Sequence, residues 1–453
     1  MLVFFVIFTL ISSVRTISIC ESDHCVCRFK NDGNQDFIGD EIRCSYSDPN
    51  ILKSDYALPD LVHSLDLSSN NISVLQSSIL LNSSTMEELF LNKNAITEIR
   101  NVTLRLPELK RLDLSYNLIE FIDKETFKGV KKLQHLNLAN NRFTTFTDMM
   151  FHRLSNLHEI ILNNNNIGAS LKNKDLFDRS GYGLTNKIKS ISISGINLNK
   201  VPDNFFVDAY DLRKLIISNN GITDIFELPY TLEYLDLSDN PIVEIAGEDF
   251  YDTPALRVLK LNNLHLTEVS GYTFDTLHAL KKLELERNKN LTEFSCFAFG
   301  HEVLSDPDDF GLEKLSLRAA RLTSLDGALM VPFGQLTELN LQGNPWQCDC
   351  NMKWVKRMQI PEHLTEHVRC GSPAPLFNAK IFELKPKFFI CTQKRHVGIL
   401  AAVVSVCVIL AIVAMWMFVC LPRRQTRGAL IREMHLTSAA YTVLPVSSSV
   451  HDG

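Results

Sequence analysis

Leu109-Lys-Arg-Leu112-Asp-Leu114-Ser-Tyr-Asn117 is followed by Leu133-Gln-His-Leu136-Asn-Leu138-Ala-Asn-Asn141, then by Leu157-His-Glu-Ile160-Ile-Leu162-Asn-Asn-Asn165. The shared pattern is L-x-x-L-x-L-x-x-N, and its recurrence decides the fold. The ninth position falls at 70, 94, 117, 141, 165, 196, 220, 240, 264, 288, 320 and 344, in steps of 20 to 24 residues with two longer ones of 31 and 32. Alternation at positions four and six turns two apolar side chains to one side of a short strand. One unit cannot bury that side alone, so neighbours stack and share a continuous core. Asn at position nine brings an amide that bonds the backbone of adjacent turns. Ile196, Leu264 and Ala320 stand there instead, which predicts local gaps in this ladder without loss of fold. Phe127, Phe151, Phe250 and Phe274 each follow position nine by ten residues, as expected of an aromatic column on the outer side.

The chain has 453 residues, with 46 Lys and Arg against 52 Asp and Glu, a net charge of −6. That balance argues against a dedicated nucleic-acid binder, and no nucleic-acid partner is expected. Residues 2–11, LVFFVIFTLI, form an apolar run of signal-peptide length, too short for a bilayer core of about 30 Å. Cleavage ahead of Cys20 gives a leader over 1–19. Val397 to Leu421 is a second run, 25 residues without a charge. As a helix it reaches roughly 37 Å, enough to span. Lys385, Lys387, Lys394 and Arg395 precede it, and Arg423, Arg424, Arg427 and Arg432 follow, so flanking charge does not orient it. The leader and the cysteines do: N-terminus outside, a single-pass type I protein of the plasma membrane. The tail, 422–453, is too short for a folded enzyme. Cys420 is a candidate for palmitoylation, and Tyr441-Thr-Val-Leu444 resembles a tyrosine-based endocytic sorting signal.

Cys20, Cys25, Cys27 and Cys44 cluster before the repeats, and Cys348, Cys350, Cys370 and Cys391 after them. Two sets of four read as two disulfides at each end, with three pairings open per set. Cys296 is left over, as a buried free thiol or an intermolecular disulfide. Sequons at Asn71, Asn82, Asn101 and Asn290 fit the same extracellular compartment.

Repeats and cysteine clusters together resemble the extracellular leucine-rich-repeat receptors and adhesion proteins. Cys20-x4-Cys25-x-Cys27-x16-Cys44 looks like their N-terminal cap, and Asn344-Pro-Trp-Gln-Cys348-Asp-Cys350 with Trp354, Cys370 and Cys391 like their C-terminal cap. The resemblance implies pairings Cys20–Cys27, Cys25–Cys44, Cys348–Cys370 and Cys350–Cys391. The expected fold is an α/β-type leucine-rich-repeat solenoid: a curved parallel β-sheet horseshoe of about 12 repeats with disulfide caps, plus one transmembrane helix. Its parts are a leader (1–19), an N-terminal cap (20–61), repeats (62–343), a C-terminal cap (344–391), a connector (392–396), a span (397–421) and a cytoplasmic tail (422–453). No immunoglobulin or fibronectin module precedes the span, and no Toll-type signalling domain follows it.

One stretch matches a catalytic pattern. His363-Leu-Thr-Glu366-His367 is H-x-x-E-H, as in inverted zinc peptidases. It lies inside a disulfide-tied cap with no peptidase-sized domain around it, so neither metal, cofactor nor enzyme activity is expected. Function is expected on the concave sheet, whose outward residues no core requirement sets. Most of them are polar. Phe90, Ile161, Ile216, Tyr234 and Val258 are not, and the last three fall on successive strands. Around them Arg213, Lys214, Arg257, Lys260, Lys281, Lys282, Lys314 and Arg318 face Glu233, Asp236, Glu284, Glu286 and Glu313, a mixed face with a basic bias. The candidate partner-binding set is Phe90, Ile161, Ile216, Tyr234, Val258, Arg257 and Lys260. The expected function is recognition or adhesion at the cell surface, with a protein ligand or neighbouring receptor as partner. An accessory or decoy immune receptor without intrinsic signalling is the alternative.

Overall fold

In the computed structural model, position four of every repeat is the middle residue of a three-residue strand and is buried. Leu65, Leu112, Ile160, Leu215 and Leu283 are examples, with half-buried or exposed residues on either side. The structure describes residues 18–23, 25–30, 38–44, 51–53, 56–75, 79–100, 104–172, 176–177, 181–306, 310–391 and 402–417. The chain divides into two units, Met1–Phe389 and Ile390–Gly453.

The first unit is built on a 14-stranded sheet. Strands Val26–Lys30 and Ile38–Arg43 form an antiparallel hairpin, and the second pairs in parallel with Ser64–Asp66. From there to Glu338–Asn340 all pairings are parallel and in register, so Leu215, Leu235, Leu259 and Leu283 lie side by side. The hairpin covers the edge that the first repeat would otherwise leave unpaired.

Each strand ends in a turn with one residue in the left-handed region, at position eight. Ser69, Lys93, Tyr116, Asn140, Asn164, Gly195, Asn219, Asp239, Asn263, Arg287, Ala319 and Gly343 all have φ between 51° and 73°. For residues with a Cβ this conformation costs roughly 1–2 kcal/mol. The return is a backbone bond to the next repeat: Tyr116 N–H donates to the Ala139 carbonyl at 2.9 Å, and Arg287 N–H to that of Arg318 at 2.8 Å. At 195 a Cβ would stand 2.4 Å from Asn164 Oδ1, so that side chain would have to move to admit any residue but Gly.

Position nine completes the turn. Asn117 Nδ2 donates to the carbonyls of Leu91 (2.9 Å) and Leu114 (3.0 Å), and its Oδ1 accepts from Ile96 N–H at 3.1 Å. Asn94, Asn141, Asn165, Asn220, Asn240, Asn288 and Asn344 bond their neighbours in the same way. Ile196, Leu264 and Ala320 are buried where the amide would be. The sheet passes through these repeats without a register shift.

Phe127, Phe151, Phe250 and Phe274 are buried, but they do not stack as one column. Phe146 meets Phe143, Phe151 and Tyr182 at centroid distances of 5.1 to 5.4 Å. Further on, Phe250, Phe274, Phe299 and Phe310 follow one another at 6.1, 5.6 and 5.0 Å. Tyr182 and Phe310 come from the two longer repeats, so the inserted segments add to the core as well as to the surface.

Disulfides join Cys20–Cys27 and Cys25–Cys44 at one end, and Cys348–Cys370 at the other. Cys350 and Cys391 are each disulfide-bonded as well. At the C-terminal end Trp346 is fully buried, and its Nε1–H donates to the Leu341 carbonyl at 2.9 Å.

In the second unit, residues 402–417 are helical. These 16 residues reach about 24 Å at 1.5 Å each, short of the 25-residue span expected over 397–421. Among the described residues no helix is long and apolar enough to cross a membrane. The leader up to residue 17, Asn101, the connector 392–396, Cys420, Tyr441, Leu444 and the rest of the tail lie outside the described residues.

Candidate functional site

Parallel pairing in register turns the outward positions into rows across the sheet. Position three gives Lys214, Tyr234, Val258, Lys282 and Lys314 in succession. Position five gives Ile161, Ser192, Ile216, Asp236, Lys260, Glu284 and Ser316. Tyr234 and Val258 are therefore direct neighbours, whereas Ile216 stands in the other row between Ser192 and Asp236. The three do not form one apolar row, because two occupy position three and one position five. Phe90 lies between Asp66 and Asp113 on the early strands, and Ile161 between Asn137 and Ser192. All five of these apolar side chains are half-buried.

The centre of the face is polar and aromatic. The Tyr234 ring has Lys214 Nζ at 5.6 Å and Lys260 Nζ at 6.0 Å from its centroid. Lys260 pairs with Glu284 at 3.4 Å, Lys282 pairs with the same carboxylate at 2.6 Å, and Asn262 Nδ2 donates to it at 3.0 Å. Burial pushes the Glu284 carboxyl up, but hydrogen bonds from Lys282 and Asn262 and the Lys260 charge outweigh it, leaving the group below the usual carboxylate range. For Lys260 burial works downward, and Glu284, Tyr234 and Asp236 reverse it, so its ammonium is held above its ordinary value. The Tyr234 phenol is raised, first by burial, with Lys260 opposing. The network continues: Asn262 Oδ1 accepts from Glu286 N–H at 2.7 Å, and Glu286 accepts from Ser316 Oγ at 2.7 Å.

The basic bias is largely neutralised by pairing across strands. Arg213 meets Glu233 (2.7 Å), Lys281 meets Glu313 (3.3 Å), Lys314 meets Glu338 (3.0 Å) and Arg318 meets Glu286 (3.8 Å). Arg257 is exposed and has no carboxylate partner among the described residues. The candidate set lacks four members of this centre: Lys214, Lys282 and the pair Glu284 and Asn262. The positions of that pair, five and seven of adjacent repeats, become neighbours only once the strands are paired.

His363 and His367 serve the last turn through their carbonyls. Gln342 Nε2 donates to His363 at 3.0 Å, and Gly343 N–H to His367 at 3.1 Å. The helix there, Glu362–Thr365, is a single turn. Among the described residues no group of three or more His, Cys, Asp or Glu is placed to hold a metal ion.

A family profile described as "Leucine rich repeat" matches residues 60–119, 107–167 and 230–295. Those segments are the stacked units just described, and cysteine pairs stand at both ends of the array. The chain is a leucine-rich-repeat protein with cysteine caps. Among known proteins it is similar to Tsukushi of Gallus gallus, 28% identical over 328 residues, covering 69% of this chain and 77% of Tsukushi. It is also similar to Chaoptin of Drosophila melanogaster, 28% identical over 352 residues, covering 72% of this chain and only 25% of Chaoptin. Among solved structures, the leucine-rich-repeat domain of APL1B aligns with 70% of this chain and 85% of its own, at 20% identity and a TM-score of 0.48. Among the described residues of this leucine-rich-repeat protein nothing in the geometry points to catalysis.

Proposed function

We propose that this leucine-rich-repeat protein is a type I cell-surface recognition or adhesion protein that binds an extracellular or membrane protein partner through its sheet face. The observation that carries the reading is the centre formed by Tyr234, Lys260 and Glu284. A half-buried Tyr ring stands beside the Lys214 and Lys260 ammonium groups, the second paired with Glu284; Tyr is a residue type enriched where proteins meet, and no core requirement sets these residues. Val258 and Arg257 extend the contact area, with Ile216, Ile161 and Phe90 at its margins. In this reading about 12 repeats over 62–343, with caps at 20–61 and 344–391, stand outside the cell. A leader over 1–19 sends them there, and a span over 397–421 holds them. The charge-free run at 397–421 supports the span, and the exposure of Asn71, Asn82 and Asn290 supports glycosylation on the same side.

The test displays the full chain on cells and screens secreted and cell-surface proteins, with wild type beside a Tyr234→Asp/Lys260→Glu variant. Loss of a partner from the variant at equal surface level supports the reading. Equal binding to both moves the site off this face. Clustering of the transfected cells with one another marks adhesion.

A further inference from the structure

Away from the sheet, the connecting segments 201–211, 221–231 and 241–255 carry nine Asp and Glu residues and no Lys, Arg or His. Asp208, Asp211, Asp224, Glu227, Glu244, Glu248 and Asp252 are all exposed. Three tyrosines stand among them, Tyr210, Tyr230 and Tyr251, at 62%, 68% and 73% exposure. Tyr210, Tyr230, Val207, Glu227 and Asp252 line one groove of about 410 Å³ over buried Leu228. The Tyr210 hydroxyl donates to Asp208 Oδ1 at 3.0 Å. None of the four sequons falls within 201–255, so no N-glycan attached there would cover the groove. Burial raises the Asp249 carboxyl, the Ala246 amide opposes it, and the charges of Glu248, Glu244 and Asp224 add to the rise, so the field across these segments is negative.

We infer that this groove docks an Arg- and Lys-rich segment of a protein partner, its cationic side chains lying against the Tyr210 and Tyr230 rings and pairing with Glu227 and Asp252. Two physical terms favour that occupant over others. An aromatic face attracts a cation within about 6 Å of its centroid, by up to about 2 kcal/mol when water is excluded. Carboxylates set on three adjacent repeats, about 5 Å apart, offer contacts over at least about 10 Å, the reach of three to four extended residues. A single small cation would use only one of these contacts. The surface is separate from the Tyr234 centre and stands whether or not that centre binds anything.

The test uses the purified full chain and a fluorescent arginine octapeptide, with a glutamate octapeptide beside it, at about 50 mM salt, where screening is weak. Wild type is expected to bind the arginine peptide and not the glutamate peptide, with affinity falling as salt rises. Tyr210→Ala/Tyr230→Ala is expected to weaken binding about tenfold. Tyr210→Phe/Tyr230→Phe keeps the rings and is expected to keep the binding. Glu227→Gln/Asp252→Asn is expected to weaken it, while Glu98→Gln/Glu120→Gln, the same charge change elsewhere, leaves it intact. Unchanged binding in the Tyr→Ala pair overturns the proposal. So does an equal loss in the Glu98/Glu120 control, because net charge alone then explains the attraction. Tyr234→Asp is expected to have no effect here, which separates this surface from the sheet face.

Discussion

Across adjacent strands, Lys260 holds its ammonium 6.0 Å from the centre of the Tyr234 ring while its other side pairs with Glu284 at 3.4 Å. The ammonium favours the phenolate, so it opposes the upward push of burial on Tyr234. Replacing Lys260 with Met is therefore expected to move the Tyr234 titration to higher pH. Tyrosine-selective NMR or ultraviolet difference titration reads this. A titration that stays in place or moves down would mean the two groups are not coupled.

Glu284 gives a second, opposite pH dependence. Its folded carboxyl lies below its unfolded value, so its stabilising contribution is complete above the unfolded carboxylate range and is lost as pH falls through the folded one. Glu284→Gln is expected to lower stability by about 1 kcal/mol at neutral pH, a figure discounted because Lys282 is exposed to solvent. The gap between wild type and variant should close on acidification below about pH 4. Urea midpoints across pH measure it, and a gap that widens in acid contradicts the assignment.

Asn288 is fully buried and serves three backbone groups: the Leu261 and Leu285 carbonyls, both at 2.9 Å, and Leu264 N–H at 2.7 Å. Asn288→Ala leaves all three unpaired and is expected to cost about 2–3 kcal/mol. The check is a denaturant midpoint with unchanged slope. A loss under about 0.5 kcal/mol, the scale of ordinary surface substitutions, would mean that water replaces the amide.

Tyr116 sits at φ 54° with its ring exposed. Tyr116→Gly is expected to be neutral or to raise stability by up to about 1 kcal/mol, and Tyr116→Val to lower it by about 1–2 kcal/mol, since a β-branched residue fits the left-handed region poorly. The thermal midpoint should hold or rise in Tyr116→Gly and fall in Tyr116→Val. Equal losses would put the value of Tyr116 in its ring rather than in its backbone.

Cys296 is a free, half-buried thiol packed against the core. Burial raises its pKa first and the Asp326 charge adds to it, so little thiolate forms at neutral pH. Alkylation by iodoacetamide should be slower than for an unperturbed thiol and faster in Asp326→Asn. A dimer that appears on non-reducing electrophoresis and vanishes in Cys296→Ser would instead assign it to an intermolecular bond.

The core was readable from the repeat because position four has one requirement, an apolar side chain, met twelve times from Leu65 to Leu339. The amide ladder was readable for the same reason, and so were the positions where Ile196, Leu264 and Ala320 interrupt it. Position eight was not. Its occupants are Ser, Lys, Tyr, Asn, Gly, Asp, Arg and Ala, which share a backbone angle and no side-chain chemistry. Glu284 was one charge among many until register set it between Lys260, Lys282 and Asn262. Tyr210 and Tyr230 lie outside the periodic strand positions, where a pattern-based reading has least to say.

The turn bond at position eight runs one way: each repeat's N–H reaches forward to a carbonyl of the next, and Gly343 makes the last such bond to His367 in the cap. In this bond alone the array has a donor end and an acceptor end. A chain emerging from the ribosome exposes a hungry amide at its growing front, silenced only when another unit arrives. Truncation before His367 would leave the Gly343 amide open, whereas loss of the first repeat would take the Ser69 donor from the Asn92 carbonyl, which water serves readily. The two ends of this protein are thus unequal in what they must be protected from.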